Sequence, residues 1–121
     1  MIRIDRAGGD ARDGYLYDAW FIRPATPLRA DGWYQAGHLR MHPFEPHERR
    51  WTFEGDVLRE GTRICWVFDG HVVRQACSFR RQSDWCFDGT VLRPREDAAL
   101  DEWHAGAPVP LPVMMFAAGL L

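Results

Sequence analysis

Hydrophobic and polar positions alternate most regularly between residues 49 and 93, where three segments repeat one template. They are Trp51-Thr-Phe-Glu-Gly-Asp-Val-Leu-Arg59, Trp66-Val-Phe-Asp-Gly-His-Val-Val-Arg74 and Trp85-Cys-Phe-Asp-Gly-Thr-Val-Leu-Arg93, all of the form W-x-F-[DE]-G-x-V-[LV]-R. A period of two marks a strand with one buried face. An acidic residue followed by Gly between two such runs marks a tight hairpin, because Gly adopts positive φ without steric cost. The segment therefore predicts a three-hairpin antiparallel meander.

Turns placed at Glu54-Gly55, Asp69-Gly70 and Asp88-Gly89 set the register by counting outward. Trp51 then opposes Leu58, Trp66 opposes Val73 and Trp85 opposes Leu92. Three-residue links at Glu60-Gly61-Thr62 and Arg81-Gln82-Ser83 keep the same faces, with Leu58 opposite Ile64, Phe79 opposite Trp85 and Cys77 opposite Phe87. One face carries Trp51, Phe53, Leu58, Ile64, Trp66, Phe68, Val73, Cys77, Phe79, Trp85, Phe87 and Leu92. The other carries Arg50, Arg59, Arg63, Arg74, Arg80 and Arg93 among small or β-branched residues. The first face is the expected core.

Outside this block, Tyr15 to Arg23 and Trp33 to Met41 read as two longer strands, separated by a loop containing Pro24, Pro27 and Asp31-Gly32. Met1 to Asp5 reads as a short edge strand. Residues 96–105 have helical character, with Pro94 before them, acidic residues in the first turn and Gly106 just past the end. Residues 108–121 form a Pro-rich apolar tail. Pro108-Val-Pro-Leu-Pro112 favours an extended path, and residues 113–121 follow as a final strand or a short helix. Packing across the open end or edge of the sheet is the expected fate of that tail, and a contact with another chain is the alternative.

The expected fold class is mainly β: an antiparallel meander of about eight strands forming a small barrel or a strongly curved sheet, with one C-terminal helix. A two-sheet sandwich is the other arrangement such strands allow. At 121 residues, with 46% hydrophobic and 26% charged positions, the chain fits a single domain, residues 1–121. Its six Trp and seven Phe supply enough apolar surface to drive collapse without a disulfide or a structural metal.

Charge changes the picture little. The basic residues other than His are all Arg, with neither Lys nor Asn in the chain, as a GC-rich genome would produce. A net charge of −2 and a pI near 6.2 argue against general nucleic-acid binding. The first ten residues lack the apolar core of a signal peptide, and the apolar run from Pro112 is about half the ~20 residues of a membrane helix. The expectation is a cytoplasmic protein that uses neither membrane nor cofactor.

Candidate chemistry is sparse. His38, His42, Glu45 and His47 are the densest group of metal-ligand types, and they define a His-dependent metalloenzyme reading, although no H-x-H or H-E-x-x-H spacing is present. Glu45, Glu48, Glu54 and His71 are available for acid or base work. Cys65, Cys77 and Cys86 are odd in number and lack C-x-x-C spacing, so they read as packed thiols; Arg74 is expected opposite Cys65.

The Arg-bearing face is the feature with most to say about function. Arg50 is expected opposite Arg59, and Arg59 opposite Arg63, an arrangement that repels unless carboxylates intervene. Arg50, Arg59, Arg63, Arg74 and Arg93 are therefore the candidate binding residues. They suggest a non-catalytic protein that recognises an acidic protein partner through this face or its loops, as small bacterial inhibitors and neutralising proteins do by analogy. A homo-oligomer is the other partner expected, with the apolar tail 113–121 as its contact. A small apolar-ligand carrier or barrel enzyme, using the barrel interior, is the alternative.

Overall fold

The computed structural model describes residues 1–26, 31–42, 50–76, 84–95 and 101–121, of which Asp31 and His42 are described in backbone only. These form twelve strands: β1 (Ile2–Arg6), β2 (Tyr15–Tyr17), β3 (Phe21–Pro24), β4 (Asp31–Gln35), β5 (His38–His42), β6 (Arg50–Glu54), β7 (Val57–Glu60), β8 (Arg63–Phe68), β9 (Val72–Gln75), β10 (Trp85–Phe87), β11 (Val91–Pro94) and β12 (Trp103–Ala105). Each pairs antiparallel with its sequence neighbours, and β12 closes on β1. The product is a mainly β, closed meander barrel with one C-terminal helix, α1 (Leu111–Ala117).

Twelve strands rather than about eight arise because both segments read as long strands are hairpins. Tyr15-Leu-Tyr-Asp-Ala-Trp-Phe-Ile-Arg23 is a degenerate copy of the template, with Ala19 where the others have Gly. Ala19 takes φ 77°, and the chain folds back so that Tyr17 opposes Ile22. Ala36 and Gly37, at φ 41° and 94°, turn β4 into β5, with Gln35 opposite His38. Left-handed φ at alanine costs about 1–2 kcal/mol, which is why neither turn stands out in the sequence.

The three template hairpins form, but their turns sit one residue later than expected. Glu54 opposes Val57, leaving Gly55 and Asp56 as the turn, both at positive φ (59° and 63°), the type I′ requirement. In the other two, Gly70 (94°) and Gly89 (103°) hold the first central position, as type II′ demands. The reason is the preceding aspartate. Asp69 Oδ1 accepts the N–H groups of His71 (2.9 Å) and Val72 (2.7 Å), while Asp69 N–H donates to Val72 O (3.2 Å). Asp88 does the same for Thr90 and Val91, and Asp18 for Trp20 and Phe21. An aspartate that caps the turn from its own strand end cannot also be a central residue.

Opposed pairs change accordingly: Trp51 faces Glu60, Phe53 faces Leu58, Trp66 faces Gln75, Phe68 faces Val73, Trp85 faces Pro94 and Phe87 faces Leu92. A partner two residues along points to the same side, so the faces survive. Trp51, Leu58, Trp66, Val73, Phe87 and Leu92 are buried, and Phe53, Phe68 and Trp85 pack against them. Cys77, Phe79 and Arg80 lie outside the described residues.

Ile64 departs from the expected face. The link between β7 and β8 is a tighter turn, with Glu60 opposite Arg63 and Arg59 opposite Ile64, and the register shifts before Leu58 meets Trp66. Cys65 is the extra residue of a β-bulge, and Ile64 is left 40% exposed on the outer side.

Helical character over 96–105 is not upheld where it can be seen. Residues 103–105 are strand β12, because pairing with both β1 and β11 satisfies their backbone in closing the ring; residues 96–100 lie outside the described residues. The helix instead belongs to the tail. The chain stays extended to Pro110 (φ −61°, ψ 145°), and the helix starts at Leu111 with Pro112 in its first turn, where a missing N–H is harmless.

α1 lies inside the barrel rather than across an end. Val109 N–H bonds Gly89 O beside the short turns, whereas Phe116 stacks edge-on with Tyr15 (5.9 Å) near the opposite rim. Val113, Met114 and Met115 are 0% exposed, so consecutive positions round the helix are all buried. The helix, about 10 Å long at 1.5 Å per residue, matches the height of strands this short.

Two substitutions test this arrangement. Replacing Ala19 by Gly should raise stability by about 0.5–1 kcal/mol in urea melts, since relief of the strained φ exceeds the added chain entropy; an unchanged or lower midpoint would contradict the strained turn. A Cβ at Gly32 would lie 2.7 Å from Ile22 Cγ2 and 3.3 Å from the Phe116 ring. Gly32→Val should therefore destabilise by about 1–3 kcal/mol through overpacking. Full stability of that variant would argue that α1 does not pass this strand.

Candidate functional site

With its interior occupied, the barrel offers its outer wall and two rims. The short-turn rim carries Asp18, Glu54, Asp56, Asp69 and Asp88, because the template sets an acid at each turn and an Arg at the far end of the second strand. Backbone N–H groups hold the carboxyls of Asp18, Asp69 and Asp88 below the ordinary range; the largest contributions are from Phe21, Val72 and Thr90 respectively. These three carboxylates are committed to their own turns.

Arg50, Arg59, Arg74 and Arg93 face outward, but their neighbours differ from the expected ones. Arg63 leaves that face, because the bulge that turns Ile64 outward puts Arg63 on the Trp side at the rim, in line with Glu60 and Trp51. Arg50 opposes Arg40 rather than Arg59, and Arg40 lies over the Trp33 ring at 5.3 Å. Arg59 opposes Thr52 on one side and Ile64 on the other. Arg63 opposes Glu60 and pairs with it at 3.4 Å. Arg74 opposes Val67 and reaches Asp69 (3.6 Å) and Asp84 (3.5 Å), the latter shared with Arg95 (3.5 Å). Cys86 opposes Arg93. The one-residue shift of each turn thus separates the anticipated Arg–Arg contacts and puts Thr or aliphatic residues between them.

A feature that sequence reasoning missed lies in the middle of this wall. Ile64 and Val67 are 40% and 42% exposed, and Val57, half-buried, sits directly opposite Val67. Two rows run across the strands: Glu54, Val57, Val67 and Arg74 form one, and Thr52, Arg59 and Ile64 form the other. An aliphatic centre flanked by guanidinium groups has the composition of a protein contact surface. The only available signal was Gly61, whose φ of 60° suits a tighter turn than the three-residue link and so forces the bulge.

The other candidate groups stand apart where they are described. His38 and His42 occupy opposite ends of β5, about 13 Å apart at ~3.3 Å per residue, and Glu45, His47 and Glu48 lie outside the described residues. Among the described residues no group of three or more His, Cys, Asp or Glu stands close enough for a metal ion. Glu54 is exposed at a strand end. His71 is exposed at a turn and shares a shallow depression of about 50 Å³ with Cys86, Phe87, Asp88, Val91 and Arg93. That space holds a water molecule or two but not a substrate. Cys65, the bulge residue, stands beside the Arg63 carbonyl and not opposite Arg74.

The turn carboxylates give a pH prediction. Their folded-state pKa values are lowered, so their stabilisation is complete above the unfolded value of about 4 and is lost as pH falls through the lower folded values. Combining Asp18→Asn, Asp69→Asn and Asp88→Asn keeps an acceptor oxygen that cannot protonate. Thermal melts between pH 5 and 2 should then show a flatter acid limb than wild type; parallel curves would rule the turns out as its source. Comparison with protein-family models, curated proteins and solved structures finds no match for this chain.

Proposed function

We propose that this protein is a non-catalytic binding module that recognises an acidic protein partner through the Arg-bearing outer wall. Arg59 and Arg74 form the centre of the surface, with Arg50 and Arg93 at its margins. The observation that carries the reading is the exposed Ile64–Val67 pair between Arg59 and Arg74, on a wall stiffened from within by α1. Apolar side chains supply area and guanidinium groups supply bidentate recognition of carboxylates. Occupation of the interior by α1 favours this wall over the lumen as the place where a partner is met.

The same reading puts the protein in the cytoplasm. No helix among the described residues is long and apolar enough to cross a membrane. Strands of three to six residues are also shorter than the roughly 9–11 that span a bilayer.

Affinity capture from the native host at low and moderate salt tests the proposal. Wild-type protein should retain an acidic protein that is released as salt rises, and the double variant Arg59→Ala, Arg74→Ala should lose it. Retention of the same protein by the double variant would defeat the reading.

A further inference from the structure

We propose that the wall formed by β7, β8 and β9 receives an acidic amphipathic helix of the partner. This inference rests on the binding reading above and specifies the shape of what binds. Peptides often dock by adding a strand to a sheet edge, and among the described residues that route is closed: each strand has two neighbours in a closed ring. Recognition must therefore proceed through side chains on the wall.

The dimensions suit a helix. Three strands at about 4.8 Å spacing present a strip about 10 Å wide, close to the 10–12 Å diameter of a helix with its side chains. Val57, Ile64 and Val67 make the apolar track along its middle, while Arg59 and Arg74 stand at diagonal corners. A helix with apolar residues at i, i+3, i+4 and i+7 and carboxylates flanking that stripe would match both elements.

The guanidinium groups are also available for new contacts. Arg74 has a side-chain exposure of 53%, and its ion pairs with Asp69 and Asp84 span 3.6 and 3.5 Å. Charge-assisted hydrogen bonds close to about 2.7–2.9 Å, so the internal pairs leave room for shorter ones to a partner carboxylate. Arg59 pairs with no carboxylate among the described residues.

The test uses the full chain and three synthetic 18-residue peptides followed by fluorescence anisotropy. The first is a helical peptide with a Leu stripe flanked by Glu, the second has Lys for each Glu, and the third has the first's composition interrupted by Pro so that it cannot be helical. Only the first should bind at low salt. Ile64→Asp and, separately, Val67→Asp should weaken it about tenfold or more, and Arg59→Ala about threefold with a shallower salt dependence.

Equal binding of the Lys peptide, or indifference to both Asp variants, would overturn the inference. Equal binding of the Pro-interrupted peptide, abolished by Ile64→Asp, would remove the helix and leave the acidic-partner reading standing. If no peptide binds while host capture still depends on Arg59 and Arg74, the helix alone falls. Failure of both experiments removes both.

Discussion

Everything in this molecule depends on filling the space inside a ring of twelve strands. A barrel of about eight strands can be packed by its inward side chains alone, but diameter grows with strand number, and a wider ring needs more than side chains at its axis. Here the axis is taken by α1, whose Val113, Met114 and Met115 have no exposed surface. Trp51, Trp66, Trp103, Tyr17 and Tyr34 press inward onto the same core. Tyr17, edge-on to Tyr34 at 6.2 Å, has its phenol pKa pushed up to about 12, chiefly by burial and then by the neighbouring Tyr34. Met at two successive positions suits this role, because an unbranched thioether adapts to an irregular ring of aromatic neighbours. Gly32 is the counterpart on the wall, where Ile22 Cγ2, with the Phe116 ring close behind, leaves no space for a Cβ.

The ring closes with such short strands because its turns are tight and self-supporting. Aspartate at a strand end accepts two N–H groups of the turn that follows, so the turn needs no help from the rest of the fold. Glutamate is one methylene longer, and at Glu54 the corresponding turn uses Gly55 and Asp56 at positive φ instead. The same repeat polarises the barrel, since the acid of each copy stands at the turn and the Arg near the opposite rim.

The sequence disclosed faces more readily than positions. Trp51, Trp66 and Trp85 could be assigned to one side, and Arg50, Arg59, Arg74 and Arg93 to the other, because a two-residue offset in pairing leaves alternation intact. The offset itself depended on whether the acid lies in the turn or before it, a matter of side-chain hydrogen bonding that a residue pattern does not reveal. Two hairpins were hidden because Ala19 and Ala36 do work that glycine usually advertises. Ile64 misled for a different reason: a single-residue bulge inverts the face of everything on one side of it, and alternation alone cannot locate one. Of the metal group, Glu45 and His47 lie outside the described residues. His38 and His42 stand at the two ends of β5, and proximity in sequence along an extended chain is distance in space.

The bulge connects architecture to the functional reading. Without it Ile64 would join Trp66 in the core, and the wall beside Arg59 would be polar; with it, an aliphatic residue is held outside on a strand buttressed by its neighbours and by the filled interior. Holding a large apolar side chain at 40% exposure forgoes part of the roughly 1.5–3 kcal/mol that full burial of an isoleucine would contribute. Val67 repeats that loss two strand steps away, on the same side and beside Arg74. Isolated exposed aliphatics are ordinary, but two adjacent ones produced by a local irregularity and bordered by exposed guanidinium groups form a surface with a common purpose. A rigid wall loses little conformational freedom when a partner settles on it, which is the energetic condition under which so small a patch can contribute usefully to binding.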